Sequence, residues 1–260
     1  MNNIEETLSG YTKILKNNLS IPPFNGRIGA AEWLKTAIEK HHNGDLLGAI
    51  ADYSEAIRLY PYFSQAWYNR GLARDNLGQA DAAIGDYEEA IRLHPRDGDA
   101  YYSRGRIRKR RGDFAGALAD YQTALECNPR NRSIYNSLGV LYHNRDEWET
   151  AIDYYTQAIT LDENYTLAYA NRAEAYFALG DYDRALADFQ KAYDLEEGKP
   201  KHLAGLAITH HALRHFEQAV EFWRQLLALN ETYGDAEWVS REFDWKGVLV
   251  EAARKVIALL

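Results

Sequence analysis

Small and apolar residues recur along this chain at helical spacings of 3, 4 and 7, and the whole arrangement starts again 34 residues later. Counting Ser64 as position 1, the stretch Ser64 to Asp97 places Trp67, Gly71, Ala83, Tyr87, Ala90 and Pro95 at positions 4, 8, 20, 24, 27 and 32. That spacing predicts two helices with one buried face each, over Gln65 to Leu77 and Ala80 to Leu93. Gly78 between them can adopt the left-handed conformation that ends a helix, and Pro95 stops the second.

The pattern repeats from Ala30, Ser64, Gly98, Arg132, Thr166 and Pro200. Position 20 is Ala in every copy: Ala49, Ala83, Ala117, Ala151, Ala185 and Ala219. Position 24 is aromatic throughout, as Tyr53, Tyr87, Tyr121, Tyr155, Phe189 and Trp223, while position 8 is Gly or Ala (Ala37, Gly71, Gly105, Gly139, Ala173, Ala207). Small residues such as Gly71, Ala83 and Ala90 let backbones approach closely, and Trp67 and Tyr87 fill the space beside them. Position 4 runs Trp33, Trp67, Tyr101, Tyr135, Tyr169 and Leu203.

These residue types at these positions closely resemble the tetratricopeptide repeat (TPR) family, over Ala30 to about Tyr233. The resemblance implies an all-α fold: six antiparallel helix pairs (30–63, 64–97, 98–131, 132–165, 166–199, 200–233) stacked into a right-handed superhelix, an α-solenoid. The first helix of each pair would line a concave groove that binds peptides or proteins. Three departures stand out. Position 7 is Arg70, Arg104 and Arg172 where the family often has Leu, position 11 is basic in Lys40, Arg74 and Arg108, and Glu163, Glu197 and Glu231 replace the position-32 proline.

Both ends depart from the repeat. Residues 2 to 19 carry Ile4, Leu8, Tyr11, Ile14, Leu15 and Leu19 on one helical face, and Ser20 to Gly29, with two prolines and two glycines, predicts a loop or linker, so residues 1–29 read as a helical cap or docking arm. In 234–260, Trp238, Val239 and Phe243 predict a short helix, and Asp244 is the expected N-cap of another carrying Val248, Leu249, Ala252, Ala253, Val256, Ile257 and Leu260. That apolar stripe is either a solenoid cap or a surface for self-association.

The resemblance assigns ligand contact to positions 2, 5, 6, 9, 12 and 13 of each first helix. Reading those columns gives the candidate groove residues Tyr68, Asn69, Asn76, Tyr102, Ser103, Arg106, Lys109, Arg110, Asn136, Ser137 and Asn171. Small amides and hydroxyls can bond the backbone of an extended peptide without demanding a sequence. The run Arg104 to Arg111 holds six basic residues, of which Arg106, Lys109 and Arg110 fall on groove positions. Arg106 and Arg110, with Tyr68 and Tyr102, suggest a subsite for an acidic segment of a partner; the alternative is a solvated run paired with Asp75, Asp99 and Asp113.

A net charge of −8 disfavours indiscriminate attraction to nucleic acid or anionic membrane. One cysteine, Cys127, stands where other copies have Leu and reads as a buried apolar residue in a reducing cytoplasm. No apolar run reaches the roughly 20 residues of a membrane span. His41, His143 and His211 share position 12 but lie whole repeats apart, so no metal or cofactor is expected, and no enzyme signature is found. The sequence therefore reads as a non-catalytic interaction scaffold or assembly factor that binds a partner peptide in its groove. Alternatives are a structural subunit held by its convex face or C-terminus, and a regulatory module taking RNA or a small anion at the third copy.

Overall fold

A computed structural model describes residues 24–260, so the helix expected over residues 2–19 lies outside the described residues. Among those described there are fourteen α-helices and no strand. The chain divides into two compact units, Met1–Cys127 and Asn128–Leu260. In the first unit, α1 (Phe24–His42) pairs with α2 (Leu46–Leu59), α3 (Ser64–Asn76) with α4 (Ala80–Leu93), and α5 (Gly98–Arg110) with α6 (Phe114–Cys127). In the second, α7 (Arg132–His143) pairs with α8 (Trp148–Leu161), α9 (Thr166–Ala178) with α10 (Tyr182–Leu195), and α11 (Pro200–Ala212) with α12 (Phe216–Leu229). A 3-10 turn (Glu231–Gly234), α13 (Ala236–Phe243) and α14 (Val248–Ile257) follow. No described helix is long and apolar enough to cross a membrane.

The repeat positions explain the packing. Ala49, Ala83, Ala117, Ala151, Ala185 and Ala219 are each fully buried. A Cβ built on Gly71, Gly105 or Gly139 would stand 2.7, 2.7 or 2.5 Å from Cε1 of Tyr87, Tyr121 or Tyr155, so these position-8 glycines admit the position-24 rings. The turn inside every pair passes through one left-handed residue: Gly44, Gly78, Gly112, Asp146, Gly180 and Arg214. Asp146 (φ 60°) and Arg214 (φ 64°) adopt it with a side chain, at about 1 kcal/mol each.

The departures at positions 7 and 11 have a physical reason. Arg70 grips Asp86 with Nε (3.0 Å) and Nη2 (2.7 Å), while Arg74 Nη1 donates to the same carboxylate at 2.7 Å. Arg104 and Arg108 do the same to Asp120, Arg172 grips Asp188, and Lys40 pairs with Asp52 at 2.7 Å. All four aspartates sit at position 23 and are buried. The position-7 guanidinium also lies over the position-4 ring of its own helix, Arg70 4.7 Å from Trp67, Arg104 5.5 Å from Tyr101 and Arg172 5.6 Å from Tyr169. Two of these arginines also reach back to the preceding pair: Arg70 Nη1 donates to Ser54 Oγ and Arg172 Nη1 to Thr156 Oγ1, each at 3.0 Å. One arginine thus ties a helix to its partner and one pair to the next. Where position 23 is aromatic the charges are gone, and Tyr142 stacks on Tyr154 (5.4 Å) and His210 on Phe222 (5.5 Å).

Three sequence expectations need correction. α1 begins at Phe24, inside the segment expected to be a loop. Its glycines serve close approach: a Cβ on Gly26 would lie 3.2 Å from the Leu59 carbonyl oxygen, and one on Gly29 3.3 Å from Leu59 Cδ1. Asp244 does not cap α14; it ends α13 in the left-handed conformation (φ 55°), and Gly247 precedes α14. Cys127 is half-buried and free, not fully buried.

Candidate binding groove

Within each unit the first helices of successive pairs touch, α1 to α3 to α5 and α7 to α9 to α11, whereas the second helices share no comparable contact among the described residues. The first helices therefore line the inner face, and each unit's inner face has its own character.

In the first unit, the tyrosines at position 5 are walls rather than free side chains. Tyr68 packs on Tyr87 with ring centroids 5.9 Å apart, and Tyr102 on Tyr121 at 5.5 Å. Burial pushes the Tyr68 phenol up to about 12, although its hydrogen bond to Ser103 and the nearby Arg106 charge pull the other way. Ser103, a candidate groove hydroxyl, is buried and engaged by that bond. Asn69 is half-buried on α3, and Asn76 lies 3.2 Å from Nε2 of His41, an imidazole lowered by burial. Burial, with Asp97 beside it, raises the Asp99 carboxyl at position 2.

The basic run is largely spent inside the unit. Arg104 and Arg108 hold Asp120, Arg110 pairs with Asp75, and Arg111 pairs with Asp81 at 2.7 Å. The suggested Arg106 and Arg110 subsite is therefore halved, because Asp75 neutralises Arg110. Lys109 is half-buried and has partners of its own. Arg106 is exposed beside Tyr68 and makes no ion pair among the described residues.

In the second unit, the Asn171 amide donates to Asn136 Oδ1 at 3.0 Å, so the two candidate asparagines bond each other across α9 and α7. Ser137 on α7 is half-buried and also has a partner. The dominant feature here was not among the sequence candidates. Glu174, at position 9 of α9, is only 5% exposed, pairs with Lys201 Nζ at 2.7 Å and accepts a hydrogen bond from Trp245 Nε1 at 2.8 Å. α14 packs mainly on α11 and also touches α9 and α12, so the C-terminal segment lies on the inner face. Its stripe of Leu249, Val250, Ala252, Ala253 and Val256 is buried there. The position-9 column, Ile38, Leu72, Arg106, Val140, Glu174 and Ile208, does carry a signal: Glu174 is its one acid.

Family models described as tetratricopeptide repeat match residues 34–97, 68–129 and 102–166, and a second such model matches 166–198. The chain belongs to the tetratricopeptide repeat family. Solved TPR-fold structures resemble it over most of its length. MamA is 25% identical over 66% of this chain and 94% of that one, with a TM-score of 0.58. YrrB, described as a TPR protein with an unusual peptide-binding site, is 19% identical over 78% of this chain and 97% of that one (TM-score 0.59). PilF of Pseudomonas aeruginosa is 13% identical over 85% of this chain and all of that one, with a TM-score of 0.74. No curated protein matches the chain. TPR membership places it among protein-interaction modules, and the α-solenoid is the fold it shares with these structures.

Proposed function

We propose that this chain is a non-catalytic scaffold whose first unit captures an extended peptide segment of a partner protein on the inner face of α1, α3 and α5. Asn69 bonds the peptide backbone, Tyr68 and Tyr102 supply the apolar walls, and Arg106 takes an acidic side chain. The observation that carries this reading is the contrast within the basic run: Arg104, Arg108, Arg110 and Arg111 are matched by aspartates, while Arg106 is exposed and makes no ion pair among the described residues. The same contrast weakens the RNA alternative, since a phosphate backbone needs several uncommitted cations in a row. YrrB, described as having a peptide-binding site, gives the fold a precedent for this use. A single free cysteine suits a reducing compartment such as the cytoplasm.

Random peptides displayed on phage and selected against the intact chain test the proposal. The selected peptides should carry an acidic residue and lose about tenfold or more in affinity on Arg106→Glu, the scale of one charge-assisted bond turned repulsive. Asn69→Ala should weaken them as well. Selected peptides that bind both variants as well as the intact chain would remove the first unit's inner face as the site.

A further inference from the structure

The C-terminal segment makes the contacts a ligand would make. A cap stacks on the free edge of the last helix pair, beside α12. Here Trp245 lies on the inner face instead and reaches Glu174, 71 positions upstream. Glu174, Lys201 and His143 occupy positions 9, 2 and 12, which the family resemblance assigns to bound peptide. Trp245 is 1% exposed, and its indole N–H is delivered to a buried carboxylate whose only ion-pair partner among the described residues is Lys201. Left-handed residues on both sides, Asp244 (φ 55°) and Gly247 (φ 52°), turn the loop so that Trp245 points inward.

The match is incomplete. Tyr155 is fully buried, and neither its hydroxyl nor Nδ1 of His143 has a hydrogen-bond partner among the described residues. Burial lowers the His143 imidazole against the pull of the Glu174 charge, whereas burial and that charge together raise the Tyr155 phenol. An occupant that leaves buried polar atoms unbonded holds the groove less tightly than one that satisfies them.

We propose that Asp235–Ile257 is a ligand held in cis by the groove of α7, α9 and α11, and that this groove accepts in trans a partner segment of the same chemistry: a tryptophan anchor followed by an amphipathic helix, its indole N–H donated to Glu174. Binding in trans requires release of the cis segment, so the intact chain is closed at this site. This surface belongs to the second unit and does not depend on the peptide reading of the first.

A fluorescein-labelled peptide of residues 235–260 serves as the trans probe, titrated into the full chain and into full-length Trp245→Ala. The variant, with its anchor removed, should bind the probe at least about tenfold tighter than the intact chain. A probe carrying Phe in place of Trp245 should bind the variant about tenfold more weakly, because the charged hydrogen bond is gone while the ring remains. Adding Glu174→Gln to the variant should remove the difference between the two probes. Equal binding of the probe to variant and intact chain, or of the two probes to the variant, overturns the proposal. Should Trp245→Ala not fold, native hydrogen exchange of the intact chain decides: amides of α13 and α14 opening together before those of α9 and α11 support a releasable segment, and exchange only with global unfolding overturns it. Acidic peptides selected on Arg106 should be indifferent to Trp245→Ala, which keeps failure here distinct from failure of the first-unit reading.

Discussion

Asp120→Ala should lower the unfolding free energy by about 3–5 kcal/mol, the scale for removing one partner of a buried ion pair. The Asp120 side chain is almost wholly buried and receives Nε and Nη2 of Arg104 and Nη1 of Arg108. Its loss leaves two guanidinium groups, both largely screened from water, with only the more distant and exposed carboxylates of Glu88 (3.8 Å from Arg104) and Asp113 (3.9 Å from Arg108). The attraction is not what makes the loss large; the uncompensated desolvation is. Replacing the whole set should therefore be far milder. The triple change Arg104→Leu, Arg108→Tyr and Asp120→Tyr reproduces the fourth copy's Leu138, Tyr142 and Tyr154, whose stacked rings fill the same positions without charge. Urea denaturation followed by far-UV circular dichroism should show the single variant well below the triple. A triple variant as unstable as the single one would mean that the charges themselves, not their mutual satisfaction, hold the third pair together.

Trp223→Ala should cost the second unit about 3–5 kcal/mol, as for other large-to-small changes in a closed core. Trp223 is fully buried at position 24 of the last copy, where the other copies have Tyr or Phe. Its indole N–H donates to the Tyr233 carbonyl at 3.1 Å, so the side chain both fills the space beside Ala207 and pins the 3-10 turn from which α13 departs. Tyr233 in turn stacks on Phe243 at 5.7 Å and meets Trp238 edge-on at 4.8 Å. The variant should lose stability in urea and show faster amide exchange in α13 and α14. Trp223→Phe, which keeps most of the volume but not the N–H, should fall between the two. Unchanged exchange in α13 in the alanine variant would separate the C-terminal segment from the last helix pair.

How much of this was legible in the sequence follows from the spacing of the contacts. In a repeat array a residue meets partners at fixed intervals, such as the 16 positions from Arg70 to Asp86 or the 35 from Asn136 to Asn171. Reading columns therefore located α3 and α4 to within a residue and marked Gly71 and Ala83 as points of close approach with Tyr87 filling the space beside them. The position-23 column, Asp52, Asp86, Asp120, Tyr154, Asp188 and Phe222, held the explanation for Arg70 and Arg104, but only when read against positions 7 and 11 together. Arg110 had two readings in the sequence, a subsite for an acidic segment or a pairing with Asp75, and the ion pair across 35 positions follows the second. What repeat spacing could not reveal is a contact made by a segment outside the repeat. Trp245 has no equivalent in any copy, so nothing in the sequence linked it to Glu174, and Asp244 was assigned to the wrong helix end because αL termination needs a backbone angle to be seen.

Photocrosslinking tests the central claim, that the inner face of the first unit holds the partner, most directly. Benzoylphenylalanine placed at Asn69, on the inner helix α3, and separately at Glu88, exposed on the outer helix α4, should be irradiated with a selected acidic peptide in each full-length chain. The account predicts an adduct from position 69 that Arg106→Glu abolishes, and none from position 88. Adducts from position 88 alone would contradict it.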